Sequence, residues 1–250
     1  MNVFGSTRSR VCKDHAMIAP ESFVKSSLPG WEKTQGVILI SPQMSARFCQ
    51  YLALMEAGAV AGPALSGMER VLYILEGQLV LTIPHEREQV LKAGGYAFLP
   101  PQTNCQIHAK TSCRLNVFEK SFAPLPGMTA PKLLFGQEQD IEGSPFMGDP
   151  DAVLKSLLPD HPSFDLAVNI FTFQPGATLP MVEIHVMEHG LLMLEGKGIY
   201  RLADYWYLVQ EGDVIWMASY CPQWFVAIGK NPARSLYYKD VNRDPLQREP

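Results

Sequence analysis

Glu183 and His185 stand two apart in the segment Met181-Val-Glu-Ile-His-Val186, and His189 follows four residues later. In an extended chain alternate residues share a face, so Glu183 and His185 point the same way. His189 falls just past an expected corner, at the start of the next strand. Neighbouring antiparallel strands then bring the three side chains to one point. Two imidazoles and a carboxylate suit a borderline divalent ion such as Mn, Fe, Co or Zn. The same stretch, His185-Val-Met-Glu188-His189, matches the inverted zinc-protease motif literally. That motif needs a helix to place both histidines on one face. Gly190 and the LLMLEGKG pattern behind it argue for strands instead. A lone histidine in a β-rich chain is ordinarily a packing residue; two of the chain's six, at ligand spacing from a carboxylate, favour a metal site.

The elements that position these residues come from a repeat. Met68-Glu-Arg-Val-Leu-Tyr-Ile-Leu-Glu-Gly77 reappears as Met187-Glu-His-Gly-Leu-Leu-Met-Leu-Glu-Gly196. Upstream, Ala57-Gly58-Ala59 matches Pro175-Gly176-Ala177, and downstream Gly94–Phe98 matches Gly212–Trp216. The period, roughly 119 residues, is far longer than that of solenoid repeats. The organisation expected is an N-terminal arm over 1–37, a first copy over 38–121, a proline-rich linker over 122–160 and a second copy over 161–250. Each copy reads as short strands punctuated by turn residues. VLYILEG-QLVLTI and GLLMLEG-KGIYRL are expected to be hairpins turning near Glu-Gly. Asp151–Leu158 is expected to form one short helix. Short strands without helical periodicity indicate a sandwich or barrel.

Composition bounds the function class. The chain has 250 residues, 47% of them apolar and 18% charged, with a formal net charge of -4. No basic excess marks a nucleic-acid or anionic-membrane surface, and no apolar run has the length of a spanning helix. The five cysteines, Cys12, Cys49, Cys105, Cys113 and Cys221, are odd in number and form no Cys-x-x-Cys pair. That argues against a disulfide framework and a cysteine zinc site and for a cytoplasmic location. The N-terminus shows no signal-peptide core.

The second copy resembles the cupins. Their first motif carries His-x-His, then a Glu and a hairpin Gly; their second opens with Gly-Asp and carries a His eleven residues after that Gly. Here Glu183, His185 and His189 hold the first motif's ligand places. Gly212-Asp213 opens the second, Ala218 replaces its proline, and Gln223 falls at the last ligand place. An amide oxygen suits a hard ion, which turns the expectation towards Mn. In the first copy the corresponding places hold Ala64, Ser66, Arg70 and Cys105, so that copy is expected to have no metal site. The resemblance implies an all-β bicupin: two tandem double-stranded β-helix (jelly-roll) barrels behind an N-terminal arm.

It narrows further. EIHVMEHGLLMLEGKGIYRL, WYLVQEGDVIWMASYCPQW, YYKDVNRDPL and the arm's VCKDHAMIAPESFVKSSLPGW resemble the (S)-ureidoglycine aminohydrolase family over nearly the whole chain. That resemblance implies hydrolysis of (S)-ureidoglycine to (S)-ureidoglycolate and ammonia in purine-derived ureide breakdown. One Mn2+ per chain would be held by Glu183, His185, His189 and Gln223. Glu183 and Lys239 would be the catalytic residues, with Glu183, Gln223, Ser235, Lys239 and Tyr200 on the substrate. Ser235 departs from a tyrosine that some members carry four residues before the lysine. The implied partners are a small ureide and further copies of the chain, with Leu28-Pro29-Gly30-Trp31 of the arm as a swap or clamp element. Two other classes fit the same ligand set: a metal-dependent cupin dioxygenase or isomerase acting on a small carboxylate, and a non-catalytic ligand-binding bicupin.

Overall fold

The structure, a computed structural model, describes residues 7–84 and 86–244. Strands make up its regular structure, with three short 3-10 turns among the described residues, at Pro20–Ser22, Pro42–Met44 and Glu138–Asp140. The chain divides into two compact units. One holds Val24–Glu142 and Leu157–Asp165; the other holds the residues up to Phe23, Gly143–Ser156 and those from Leu166 on.

The first-half unit is one ten-stranded sheet that wraps into a nearly closed barrel. Its longest strand, Cys49–Ala61, pairs with Cys113–Ser121, with Gln106–Ala109 and with Trp31–Ile40. Sequence alternation sets what faces inward. Leu72 and Ile74, Leu79 and Leu81, and Leu115 and Val117 each stand two apart, and all are fully buried in one cluster. Successive strand residues point to opposite faces, and burying each such side chain contributes about 1.5–3 kcal/mol.

The second-half unit has an eight-stranded and a three-stranded sheet. In the larger, Arg10–Val11, His15–Ile18, Val214–Met217, His189–Glu195, Ala233–Asp240, Leu166–Phe173, Asp149–Ser156 and Ser144–Phe146 lie side by side. The smaller runs Tyr205–Gln210, Lys197–Leu202, Gln223–Ala227. Leu191 and Met193, Ile215 and Met217, and Phe171 and Phe173 meet Tyr200, Leu202 and Phe225 in a common core.

Two expectations are corrected. The strands on either side of each Glu-Gly do not pair with each other. Met68–Glu76 pairs with Cys113–Ser121 and Gly95–Leu99, whereas Gln78–Thr82 pairs with Gln106–Ala109 and Gln89–Lys92. In the second half His189–Glu195 lies in the large sheet and Lys197–Leu202 in the small one. Glu-Gly is therefore a corner at which the chain changes partners. Gly77 and Gly196 turn it with φ of 87° and 73°, and a Cβ on either would lie 2.2–2.3 Å from a backbone carbonyl oxygen, Ser112 or Pro232. Second, Asp151–Leu158 forms no helix: Asp149–Ser156 is a strand laddered to Leu166–Phe173. Its Ala152 and Leu154, two apart, meet the core on one face, and that packing overrides the local preference. The stretch 122–160 also holds the strands Leu134–Gln137 and Ser144–Phe146. Among the described residues no helix is long and apolar enough to cross a membrane.

Candidate metal centre and its cavity

Glu183, His185 and Gln223 are brought together by a single antiparallel bridge. Glu183 N–H donates to the Gln223 carbonyl at 2.9 Å, and Gln223 N–H donates to that of Glu183 at 3.0 Å. Directly opposed residues project to the same face, so both side chains enter the same space. The strand expected around Glu183 and His185 is reduced to this bridge. His185 is steadied instead by its own carbonyl, which accepts from Tyr220 N–H at 2.7 Å. His189 opens the next strand, as its spacing suggests, and sits across the ladder from Lys239 and Met217.

The two imidazoles converge. Nδ1 of His185 lies 3.2 Å from the Met187 carbonyl and Nδ1 of His189 lies 3.3 Å from that of Tyr238. With each Nδ1–H donated to its carbonyl, the Nε2 lone pairs face each other at 3.2 Å. Lone pairs so placed repel unless a cation lies between them, and that separation is the one two nitrogens take on a shared ion at about 2.0–2.1 Å. Backbone carbonyls on Nδ1 are the usual outer partners of metal-bound histidines. Glu183 Oε2 stands 4.0 Å from His185 Nε2. The Gln223 amide nitrogen stands 3.0 Å from the same atom, while its Oε1 accepts from the Tyr200 hydroxyl at 3.3 Å. Turning the amide over presents oxygen to the ion, an orientation that the hydrogen-bond network decides. The donor set fits a divalent cation.

The surroundings set the charge states. Burial pushes the Glu183 carboxyl above its ordinary value, against the pull of His185 and Lys239. Burial, with His185 next to it, pushes His189 down to about 3. His189 is therefore neutral at physiological pH, the form that binds metal. Burial likewise raises the phenols of Tyr200 and Tyr237, which stay protonated donors.

These groups line one cavity of about 230 Å³. Tyr200, Ser235 and Lys239 line it too, so all the residues expected to hold metal or substrate line the same space. Glu183 is the carboxylate on its wall, and Lys239 and Arg234 are the cations. Phe146, Phe171 and Phe225 supply apolar wall. Arg234 and Phe146 escaped sequence reasoning. Arg234 should face away from Ser235 by alternation, yet Ala233, Arg234 and Ser235 all line the cavity. The neighbouring strand carries an extra residue between Met193 and Glu195 at this point, and no residue type announces it. Phe146 sits in the stretch expected to be a linker.

The first-half unit holds different chemistry at the equivalent register. Arg70 faces Leu99 and Glu119 across its ladders, as His189 faces Met217 and Lys239. Its guanidinium pairs with Glu119, donates to the Gly62 carbonyl at 2.9 Å and lies over the Trp31 ring. A fixed side-chain cation thus stands where the second half has His189.

A separate group of donor atoms, Asp14, His15 and Cys221, lies together elsewhere in the second-half unit.

No protein-family profile matches the chain. Among individual proteins, (S)-ureidoglycine aminohydrolase of Arabidopsis thaliana is 42% identical over 244 residues, covering 97% of this chain and 80% of that one. (S)-ureidoglycine aminohydrolase of Escherichia coli is 33% identical over 235 residues, covering 92% and 89%. Among solved structures, the protein Ylba of E. coli superposes with a TM-score of 0.84 at 29% identity, covering 96% of each chain. The fold is all-β and cupin-like.

Proposed function

This chain belongs to the (S)-ureidoglycine aminohydrolase family, and from that premise we propose that it hydrolyses (S)-ureidoglycine to (S)-ureidoglycolate and ammonia in the cavity of its second half. The observation that carries the assignment to this site is the pair of imidazole Nε2 atoms 3.2 Å apart, with Glu183 and Gln223 beside them. Glu183, His185, His189 and Gln223 hold one Mn2+ on this reading, favoured by the two oxygen donors. When bound, the ion orients the substrate and stabilises charge that develops at the reacting carbon.

The chain's own groups do the rest. The reacting carbon carries an amine, a ureido group and a carboxylate. Lys239, opposite His189 in the ladder, pairs with the carboxylate and fixes which face of that carbon meets the ligands. Tyr200 holds the Gln223 side chain through its hydroxyl. Ser235, in the strand of Lys239, offers a small hydroxyl and leaves room that a tyrosine would fill. Glu183 is positioned to take a proton from the attacking water and pass it to the amine nitrogen, which leaves as ammonia. The aromatic wall keeps bulk water from the rest of the cavity.

The larger architecture belongs to the same proposal. Two tandem jelly-roll copies, over 38–121 and 161–250, have their sheets completed by the arm (1–37) and the connecting stretch (122–160). The internal repeat and the division into two units support this. The described cysteines carry no disulfide, which supports a reducing, cytoplasmic setting, and association of several copies through the arm follows the family resemblance.

The test is ammonia release from freshly generated (S)-ureidoglycine by metal-stripped protein, with and without Mn2+, beside His185→Ala. Enantioselective release that needs Mn2+ and drops to the spontaneous rate in His185→Ala is expected, with the variant's bound Mn2+ falling in parallel. Release no faster than the spontaneous rate from folded, Mn-loaded protein would overturn the assignment.

A further inference from the structure

The second-half unit gathers another set of donor atoms apart from the cavity. Asp14, His15 and Cys221 each present one ligand atom, and the three atoms lie within 4.8 Å of one another. His15 is fully buried, Cys221 is 5% exposed and the Asp14 side chain is half exposed. Strand pairing builds the cluster. His15–Ile18 runs antiparallel to Val214–Met217, and Ala218 N–H donates to the Asp14 carbonyl at 2.9 Å, carrying the contact into the turn that ends at Cys221. The imidazole is held at both nitrogens, Nδ1 2.8 Å from Asp14 Oδ1 and Nε2 2.7 Å from the Tyr207 hydroxyl. The Tyr205 and Tyr207 rings wall it in.

We propose that Asp14, His15 and Cys221 form a binding site for a second divalent ion, of the thiophilic zinc class. Thiolate, imidazole and carboxylate together are a donor set that such an ion prefers. Tyr207 supplies the outer partner. With Nε2–H donated to the phenol oxygen, Nδ1 is the lone-pair donor, as in metal-bound histidines. In the metal-free chain Nδ1–H donates to Oδ1; on binding the ion takes that place and the imidazole carries its proton on Nε2 instead, donated to the Tyr207 oxygen. Two ligands on a tetrahedral zinc stand roughly 3.3 Å apart, so Asp14 must withdraw by a few tenths of an ångström, which its half-exposed side chain can do. Cys221 loses its thiol proton to solvent on binding, and thiolate plus carboxylate balance the double charge. The fourth position goes to water. The site does not depend on the aminohydrolase reading. It ties the N-terminal strand to the turn that precedes Gln223, so the ion acts as a clasp.

Cobalt(II) separates this site from the cavity, because the cavity's four proposed ligands include no thiolate. Titrating metal-stripped, full-length protein is expected to raise a thiolate-to-cobalt charge-transfer band in the near ultraviolet, saturating at one equivalent per chain once the cavity site is removed by His185→Ala. The band should survive His185→Ala and vanish in Cys221→Ser. Asp14→Asn, a change at a half-exposed position, should weaken cobalt binding ~10-fold or more. If Cys221→Ser does not fold, Asp14→Asn decides alone. Absence of the band at saturating cobalt, its persistence in Cys221→Ser, or unaltered affinity in Asp14→Asn overturns the proposal.

Discussion

Lys239 and Arg234 are the two cations that one strand places on the cavity wall, and Lys239 is the one directly across the ladder from His189. Removing one partner of a desolvated charge pair costs about 2–5 kcal/mol. Lys239→Met is therefore expected to lower kcat/KM at least ~30-fold, mainly through KM, while bound Mn2+ stays at wild-type level. A loss carried by metal content with unchanged KM would assign Lys239 to the ligand sphere instead. The residues around it show what spacing reveals. Glu183, His185 and His189 are readable because their types are rare and their separations match alternation. Gln223 is readable only through the resemblance, since a glutamine carries no chemical signal of its own. Arg234 is not readable, because alternation turns it away from Ser235 and yet both line the cavity.

At the scale of elements, the repeated Glu-Gly was legible as a turn but not as the kind of turn it is. A hairpin and a sheet-changing corner need the same glycine. What distinguishes them is the partner each strand finds, which is nonlocal. The close approach of the Pro232 carbonyl makes the corner strict. Gly196→Ala meets that oxygen at 2.3 Å as well as a positive φ, whereas Gly176, with φ 87°, has nothing within 4 Å. Gly176→Ala is expected to cost about 1 kcal/mol for its backbone alone, and Gly196→Ala about 3 kcal/mol or more. Chemical denaturation of the two variants checks the order; equal losses would mean the corner yields freely. The strand at Asp149–Ser156 has a similar lesson. Its composition permits a helix, and only the ladder to Leu166–Phe173 settles it.

Across the molecule, most of the apolar pattern was legible. The buried charges were not. In the first-half unit Glu69, Lys120 and Asp165 form a buried cluster: Lys120 pairs with Asp165 and lies 3.6 Å from Glu69. One ammonium cannot offset two carboxylates out of water. Burial first, and then Asp165, hold the Glu69 carboxyl well above its ordinary value of 4.5. The folded chain then keeps a proton that the unfolded chain releases. This stabilisation is complete below pH 4.5 and fades as pH rises through the raised folded value. Glu69→Gln keeps the shape without the titration. From pH 6 to pH 9 its melting temperature should fall less than that of the wild type, by about 2–4 °C for each kcal/mol recovered. Parallel pH profiles would rule out the shared-proton account.

The pairing of His15–Ile18 with Val214–Met217 also sets a schedule. His15–Ile18 is made some 200 residues before its partner strand. At about 5–20 residues per second the arm waits roughly 10–40 s. Throughout that interval its unpaired edge is open to strands from neighbouring nascent chains. Only once Val214–Met217 has been made can His15–Ile18 be locked in place.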